Sequence, residues 1–533
     1  MFCRLRSATV NGVCSSIIEV EVDLKRGMPQ QTIVGLPDPA IKEARDRVNS
    51  AIRNSGFEFP LGRLTVNLAP ADERKEGSIF DLAIAIGILS VSGQVESKGT
   101  LGSFIVLGEL SLDGRVRPIH GLLAILEAAK ENGITRVIIP HGNLKEAGLI
   151  SRLDLYPVRR LKEAIEVLCG TRQPEKKRPA GRGTGNEVSV GAGYDNDLAE
   201  VKGQRYAVRA VEIAAAGGHN LLLIGSPGSG KTMIASRIPT VLPLMTEEES
   251  IETTKIYSVA GLLSPETGLI RQRPFRAPHH TASAVSIIGG GKNPIPGEVT
   301  LSHNGILFLD EFPEFKSSII QSLRQPVESG KIAIARADSR LVFPARFMLV
   351  CSMNPCPCGY LFDTERLCRC SPAQVNKYYM KLSGPILDRI DIQVAVKPLK
   401  AFELVKSSPS PPSREVRERV VRARDFQSRR HESADEPVLN ADMDAPSLKK
   451  NCILDGEMES LLFTAIKKYR LSARSYNKVL RVARTIADLD GRDRIRKQDL
   501  LEALSYREVE HILYSRPYDG RWNGYSPRPH VKA

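Results

Sequence analysis

The residues best suited to chemistry stand in one stretch, Gly225–Thr232, between an apolar run and a segment that can begin a helix. A strand, a glycine-rich turn, a lysine and a threonine in this order are typical of a P-loop, which binds phosphate groups. The glycines let backbone N–H groups approach phosphate oxygens without Cβ clashes, and the helix N-terminus adds positive charge. We expect Lys231 to reach the β- and γ-phosphates of ATP and Thr232 to bind Mg²⁺. The predicted nucleotide-binding residues are Gly225, Ser226, Pro227, Gly228, Ser229, Gly230, Lys231, Thr232 and Asp310.

Two carboxylates follow a second apolar run, Ile306–Leu309. Such a run predicts a buried strand, and ligands bind at the carboxyl ends of parallel strands. The pattern is typical of a Walker B motif. We expect Asp310 to hold the Mg²⁺ shell and Glu311 to orient and polarise the water that attacks the γ-phosphate.

Asn354 ends a third buried strand predicted over Phe347–Met353. An amide can orient the attacking water without adding negative charge beside the phosphate. The alternative is an asparagine that only begins the Asn-Pro turn. With the first interpretation, the three segments together predict a site that hydrolyses ATP.

Four cysteines lie within segment 356–370, namely Cys356, Cys358, Cys368 and Cys370. Four thiolates suit tetrahedral Zn²⁺, although the spacing is C-x-C and not the commoner C-x₂-C. Reduced structural thiols or a redox pair are the alternatives. Because Pro355 joins this cluster to Asn354, a metal-held loop would stiffen the predicted water-orienting residue.

The length and composition of the chain indicate the class of protein that carries these motifs. A chain of 533 residues is too long for one core and predicts about three domains. The net charge of +14 favours a polyanionic partner such as nucleic acid. No apolar stretch approaches the ~20 residues of a membrane span, and the start lacks the apolar core of a signal peptide. We therefore expect a cytoplasmic protein whose cysteines are reduced. A cluster of reduced cysteines indicates a metal site rather than disulfide bonds.

The chain divides into five predicted regions. Residues 1–170 alternate strands and helices, which predicts an α/β or α+β domain. Residues 171–190, rich in proline, glycine and charge, form a linker. Residues 191–400 carry the ATP motifs and the cysteine loop, residues 401–514 are mainly helical, and residues 515–533 are expected to be disordered.

Several individual elements can be predicted. Helices are expected over Asp197–Ala216, Arg414–Arg430, Lys450–Arg470, Ser475–Leu489 and Lys497–Ser505. The stretch Gly330–Ala345 predicts a β-hairpin. A long insertion, Pro274–Gly297, precedes the Walker B strand and carries His279 and His280. No further metal ligands are nearby in the sequence, so structural or phosphate-contact roles are favoured for the histidines.

The N-terminal region resembles Lon-type proteases. Gly108–Ile119 and Gly133–Pro140 look like the segments around the family's catalytic lysine, and Lys75–Ser78 looks like the approach to its serine. Aligned this way, the serine falls on Ile79 and the lysine on Leu123, and neither side chain can act as nucleophile or base. A shifted alignment would place Ser78 at the nucleophile. The resemblance implies a Lon-like (ribosomal S5 domain 2-like) α/β domain that lacks the catalytic dyad and serves interaction or oligomerisation.

The segment Gly384–Asp391 resembles the arginine-finger segment in the magnesium chelatase and MCM branch of AAA+ proteins. The resemblance implies that Arg389 crosses a subunit interface to neutralise charge on the γ-phosphate. The alternative is a local pair with Asp388 or Asp391. Arg474 matches the family's second sensor arginine, or is one basic residue among several.

Taken together, the chain is similar to the YifB/ComM group of magnesium chelatase-like AAA+ ATPases, with a P-loop core, a helical lid and a Lon-like domain. The resemblance implies a homo-oligomer, a hexameric ring, that uses ATP and Mg²⁺ to move single-stranded or branched DNA. A helicase that promotes branch migration in recombination and natural transformation (competence) is the implied function.

The alternative is a magnesium chelatase-like or protein-remodelling ATPase that does not act on DNA. If a ring forms, the predicted hairpin can face its pore, where Lys331, Arg336 and Arg340 would grip phosphates without reading sequence. A hairpin that is merely solvated is the other interpretation. Stimulation of ATP turnover by DNA distinguishes the two functions.

Overall fold

The computed structural model places most of the chain. It describes residues 1–72, 75, 77–95, 101–174, 194–264, 268–291, 294–335, 340–361, 363, 366–382, 384–399, 408–430, 438–469 and 472–507. Most of the predicted linker, the predicted tail 515–533 and Arg336 lie outside the described residues.

The N-terminal part is built on a seven-stranded mixed sheet. Its strands in spatial order are Gln30–Val34, Arg63–Ala69, Cys14–Lys25, Phe2–Asn11, Phe104–Val106, Arg136–Pro140 and Asp154–Val158. The first two strands along the chain form an antiparallel hairpin, and the last three pair in parallel. Helices pack on this sheet over Pro39–Asn54, Asp81–Val91, Leu122–Glu131, Leu144–Ala147 and Leu161–Leu168. The nearly unbroken apolar sequence of Asp81–Val91 is explained by its burial on almost every side.

The second part is built on a five-stranded sheet whose hydrogen-bonded pairs are all parallel. In spatial order its strands are Phe275–Arg276, Ile306–Leu309, Met348–Met353, Leu221–Ile224 and Ile392–Ala395. Their apolar runs are buried on both faces, as parallel sheets require. Because all strands point the same way, every motif that follows a strand reaches the same edge of the sheet.

Helices cover both faces of this sheet and continue beyond it. Those within the sheet region are Arg205–Gly217, Lys231–Ala235, Ile238–Val241, Glu247–Val259, Ala284–Ile288, Glu298–Leu301, Ser317–Ser322, Arg324–Ser329, Pro372–Met380 and Gly384–Leu387. Those that follow are Ser413–Arg430, Ala445–Asn451, Gly456–Tyr469, Ala473–Leu489 and Lys497–Ser505. In the described part of the chain, no helix combines the length and apolarity needed to cross a membrane.

Two helix predictions were wrong in extent. The stretch Lys450–Arg470 contains a break between Asn451 and Gly456, where Asp455 accepts the backbone N–H of Met458 and begins a new helix. The stretch Asp197–Ala216 begins with a 3₁₀ turn that Asp197 and Glu200 cap reciprocally, and the helix begins only at Arg205.

The predicted hairpin is present. Lys331–Ala335 pairs antiparallel with Arg340–Pro344, and the side chains of Ile332 and Phe343 are buried. The hairpin also meets the N-terminal part, since the Phe343 ring lies near Gly12 in the turn between the first two strands. The hairpin therefore projects from the junction of the two parts of the chain.

A second contact between the two parts involves the helix Glu247–Val259. Lys255 Nζ lies 2.7 Å from Glu127, and the Gly121 N–H donates to the Ser258 hydroxyl over 3.0 Å. Ser258 donates in turn to Glu146, which is buried and also accepts the Leu123 N–H. The region around Leu123 thus faces the second part of the chain.

Candidate nucleotide-binding site

The predicted P-loop joins the strand Leu221–Ile224 to the short helix Lys231–Ala235. Gly230, which precedes the helix, has φ of +90°, a conformation that favours glycine. The helix ends after five residues, and Pro239 lies in the first turn of a second short helix. Lys231 is buried, and its ammonium donates to the carbonyl oxygens of Gly225 (2.8 Å) and Ser226 (3.0 Å). The lysine thus ties its own side chain to the start of the loop.

Asp310 lies opposite the P-loop threonine. The Thr232 hydroxyl donates to Asp310 Oδ2 over 2.8 Å, although the two residues are far apart in the chain. The second oxygen, Oδ1, accepts from the Ser352 hydroxyl and from the Glu311 backbone N–H at 3.0 Å. A hydroxyl and a carboxylate placed together are oxygen ligands of the kind that Mg²⁺ prefers, so this pair fits the predicted ion.

Asn354 reaches the same centre because its strand lies between the P-loop strand and the Walker B strand. Its Oδ1 accepts from Lys231 Nζ at 3.2 Å. Burial lowers the pKa of Lys231, and the carboxylates of Asp310 and Glu311 oppose that shift. The structure therefore brings together the predicted lysine, threonine, aspartate and asparagine.

Glu311 lies at the solvent side of this centre. Its backbone adopts a left-handed conformation with φ of +51°, and its side chain is 56% exposed. One carboxylate oxygen, Oε2, lies 3.3 Å from Nδ1 of His280. One of the two histidines of the insertion therefore lies beside the predicted water-orienting residue.

Arg389 is not placed at the P-loop of its own chain. Its guanidinium contacts Glu328 and donates to the Pro385 carbonyl oxygen over 2.6 Å. Among the described residues, neither local pair considered from sequence, with Asp388 or with Asp391, is formed by Arg389. Asp391 is buried and lies 2.7 Å from Lys478. The spacing of residues in the sequence did not suggest Glu328, the residue that holds the Arg389 side chain.

Arg474 lies in the first turn of the helix Ala473–Leu489 and is exposed. This helix is tied to the arginine-finger segment, because it contributes Lys478 to Asp391 and Ser475 to Arg507. Arg507 also donates to the carbonyl oxygen of Ile390 over 2.5 Å. The two candidate arginines therefore belong to segments joined by a buried polar network.

The four cysteines of segment 356–370 form one cluster. Their sulfur atoms all lie within 4.8 Å of one another, and the three shortest separations among Cys356, Cys358 and Cys368 are 3.4, 3.6 and 3.6 Å. Tetrahedral Zn–S bonds of about 2.3 Å place sulfurs about 3.8 Å apart, so the donor set fits zinc. Burial opposes ionisation of Cys358, but backbone N–H donors of Tyr360 and Arg369 prevail and lower its pKa to about 6.

The cysteine loop touches the P-loop directly. Gly359, between the two cysteine pairs, has φ of +86°, and a Cβ built there would lie 2.5 Å from Cδ of Pro227. The same loop begins one residue after Asn354, and Tyr379 donates to the carbonyl oxygen of Pro355. The cluster thus supports the phosphate-binding loop on one side and the predicted water-orienting amide on the other.

Substitution of Gly359 tests that contact. We expect Gly359→Ala to weaken nucleotide binding about tenfold, because overpacking costs about 1–3 kcal/mol and here displaces Pro227. Titration with a fluorescent ATP analogue measures the change. The double variant Gly359→Ala/Pro227→Ala, compared with Pro227→Ala alone, should show a much smaller loss; an undiminished loss would mean that backbone strain at residue 359, and not the contact, is responsible.

Sequence reasoning missed Ser352 and Gly359 as contributors to the site, and it did not predict that His280 contacts Glu311. Ser352, which contacts Asp310, is a polar residue inside an otherwise apolar strand, and that anomaly was a usable signal. Gly359 and His280 reach the site only through the folded path of their loops. Their partners Pro227 and Glu311 are too distant in sequence for spacing to reveal the contacts.

Models of three protein families match the chain. Residues 20–143 match "Subunit ChlI of Mg-chelatase", residues 197–404 match "Magnesium chelatase, subunit ChlI", and residues 410–507 match "Magnesium chelatase, subunit ChlI C-terminal". The second match contains the complete nucleotide-binding site described above. The third spans the C-terminal helices.

Two of the similar proteins match nearly the whole chain, and a third matches part of it. The competence protein ComM of Haemophilus influenzae is 43% identical over 507 residues, which span 94% of this chain and 96% of that protein. The protein YifB of Escherichia coli, which is uncharacterized, is 42% identical over 94% of this chain and 96% of its own length. The Lon protease of Brucella suis is 27% identical over 31% of this chain and 21% of its own length.

Proposed function

The chain belongs to the ComM/YifB family of magnesium chelatase-like AAA+ proteins, and we propose that it is an ATP-hydrolysing ring motor that acts on DNA. The observation that carries the ATPase proposal is the convergence of Lys231, Thr232, Asp310 and Asn354 at one edge of the parallel sheet. These four side chains follow three different strands and form two hydrogen bonds there, one between Lys231 and Asn354 and one between Thr232 and Asp310. Phosphate binding, a metal-ligand pair and a water-orienting amide are the parts that hydrolysis of a phosphoanhydride requires.

Each of these residues has a role in the proposed reaction. Lys231 would donate to the β- and γ-phosphate oxygens, and Thr232 and Asp310 would hold Mg²⁺, which would neutralise phosphate charge. Glu311 accepts a hydrogen bond from the attacking water, and Asn354 fixes the direction of approach. Water forms the new bond to the γ-phosphorus as the bond to the ADP oxygen breaks.

A ring is proposed because Arg389 and Arg474 resemble the arginines that complete a nucleotide site between neighbouring subunits in this class of protein. Arg389, held by Glu328 in the single chain, would enter the neighbouring subunit's site, and Arg474 would contact the nucleotide from the C-terminal helices. The helices from Ser413 onward would then act as the lid. We propose the domain limits 1–170, 191–400 and 401–514 for the Lon-like, ATPase and lid regions.

The proposed Lon-like domain would serve interaction and not proteolysis. Ile79 and Leu123 stand at the positions of the catalytic pair and are both buried apolar residues. The alternative serine, Ser78, donates to Glu109, an acceptor that does not supply the lysine base of the family.

DNA is proposed as the substrate because of the net charge of +14 and the hairpin Lys331–Pro344 at the domain junction. The name of the Haemophilus relative, a competence protein, supports the same choice. Branch migration of recombination intermediates is the proposed activity. The family's magnesium chelatase models favour a second candidate, a chelatase-like or protein-remodelling ATPase.

ATP turnover measured with and without DNA separates the two candidates. We expect Mg²⁺-dependent phosphate release that rises several-fold with single-stranded or branched DNA at low salt and falls back as salt screens the phosphates. Turnover that is unchanged by single-stranded, duplex and branched DNA would favour the second candidate. No turnover under any condition would remove the ATPase proposal itself.

Zinc is proposed as a structural ion of the cysteine cluster. We expect one zinc per chain in anaerobically prepared protein and its loss in Cys356→Ser/Cys370→Ser, because two of four ligands disappear. Elemental analysis gives the stoichiometry, and Cys14→Ser/Cys169→Ser, which alters two cysteines outside the cluster, should retain the metal. Wild-type protein without stoichiometric zinc would contradict this assignment.

A further inference from the structure

His280 lies beside Glu311 and does not belong to the nucleotide motifs. Its Nδ1 lies 3.3 Å from Glu311 Oε2, and its own side chain is only 30% exposed. It comes from the insertion that precedes the Walker B strand, between the strand Phe275–Arg276 and the helix Ala284–Ile288. A carboxylate can only accept hydrogen bonds, so a hydrogen bond across this distance requires the proton on Nδ1 of His280.

The imidazole is held in place from two sides. Its ring packs on that of His279 with 4.1 Å between centroids and meets the edge of the buried Phe315 ring at 6.4 Å. Phe315 belongs to the turn that follows Glu311, and Glu314 of that turn donates its backbone N–H to the Glu311 carbonyl oxygen over 2.8 Å. His280 is therefore fixed relative to the backbone of Glu311.

The loop that carries His280 is itself anchored. The Ala282 N–H donates to the His279 carbonyl oxygen over 2.9 Å, and the Ser283 hydroxyl accepts the Ser286 N–H at the start of the next helix. The Thr281 hydroxyl is paired with Nδ1 of His279 at 2.8 Å. These local bonds limit the movement of the imidazole.

We infer that His280 is a positioning residue for Glu311: its Nδ1–H holds Oε2 and leaves Oε1 free to accept from the attacking water. Without that donor the half-exposed Glu311 side chain samples several rotamers, most of which point the carboxylate away from the phosphate. The inference rests on the proposed ATP hydrolysis and adds to it the residue that orients the water-binding carboxylate. His280 touches neither the P-loop nor Asp310 through any hydrogen bond given for the described residues, so it acts through Glu311.

The first test is the split between turnover and nucleotide binding. His280→Ala should lower kcat about 10- to 100-fold, the cost of a misplaced catalytic group, while ATP binds as in wild type. His280→Asn, whose amide can donate from a similar distance along the side chain, should recover part of the loss. His279→Ala removes the neighbouring ring but keeps the donor, and should lose far less activity.

A double substitution excludes a general structural effect. If His280 acts only through Glu311, then His280→Ala/Glu311→Gln has the same single-turnover rate as Glu311→Gln. Independent, additive losses, weakened nucleotide binding, or a fully active His280→Ala protein would each overturn the inference. Those results leave ATP hydrolysis by the wild type intact, whereas an inactive wild type would overturn both the proposed function and this inference.

Discussion

Lys231→Ala is expected to abolish nucleotide-dependent activity, with turnover reduced at least about 10²–10³-fold, the range for loss of one preorganised phosphate-site donor. Lys231 Nζ donates to Gly225, Ser226 and Asn354, so its removal also leaves the P-loop without its internal tie. Phosphate release and binding of a fluorescent ATP analogue measure both consequences.

The matched control is Lys377→Ala, which removes an exposed lysine on the helix Pro372–Met380 and should keep wild-type turnover. A thermal unfolding curve for each variant shows whether the fold is retained. Wild-type hydrolysis by a folded Lys231→Ala protein would mean that this loop is not the nucleotide site.

Arg389→Ala is expected to bind ATP normally and to lose hydrolysis about 10³-fold or more, as the loss of a trans arginine does in related chemistry. In the proposed ring, the physical reason is that Arg389 would bring a fork of positive charge from the neighbouring subunit to the γ-phosphate as its bond breaks. Glu328→Gln, which removes the partner of Arg389 within the chain, should leave hydrolysis largely intact.

Mixed rings test whether the site is shared. Arg389→Ala subunits have an intact P-loop and Lys231→Ala subunits have an intact arginine, so mixing two inactive proteins should restore part of the turnover. Normal turnover by Arg389→Ala alone, or a loss in Glu328→Gln as large as in Arg389→Ala, would refute the shared site.

The site was largely predictable because its residues follow buried strands. The runs Leu221–Ile224, Ile306–Leu309 and Met348–Met353 are long, apolar and followed at once by polar residues, which is enough to place those residues at one sheet edge. The spatial order of the strands was not in the sequence pattern, yet that order is what brings Asn354 between Lys231 and Asp310.

Contacts between distant loops could not be predicted. Local spacing suggested an acidic neighbour for Arg389, but burial commits Asp391 to Lys478 and leaves Glu328, on another helix, as the partner. The helix break at Asp455 was likewise hidden, because the apolar periodicity of Lys450–Arg470 continues across it while the capping bond is local. At these two places a contact between distant residues and a local capping bond decide the structure, and the apolar pattern does not show either of them.

ATP-dependent movement of a labelled four-way DNA junction tests the central proposal most directly. We expect wild-type protein to separate the junction into two duplexes with ATP and Mg²⁺, and to leave it unchanged with a non-hydrolysable analogue or in the Glu311→Gln variant, which binds nucleotide without orienting the water. An intact junction beside rapid ATP hydrolysis by the wild type would contradict the proposal of a DNA motor.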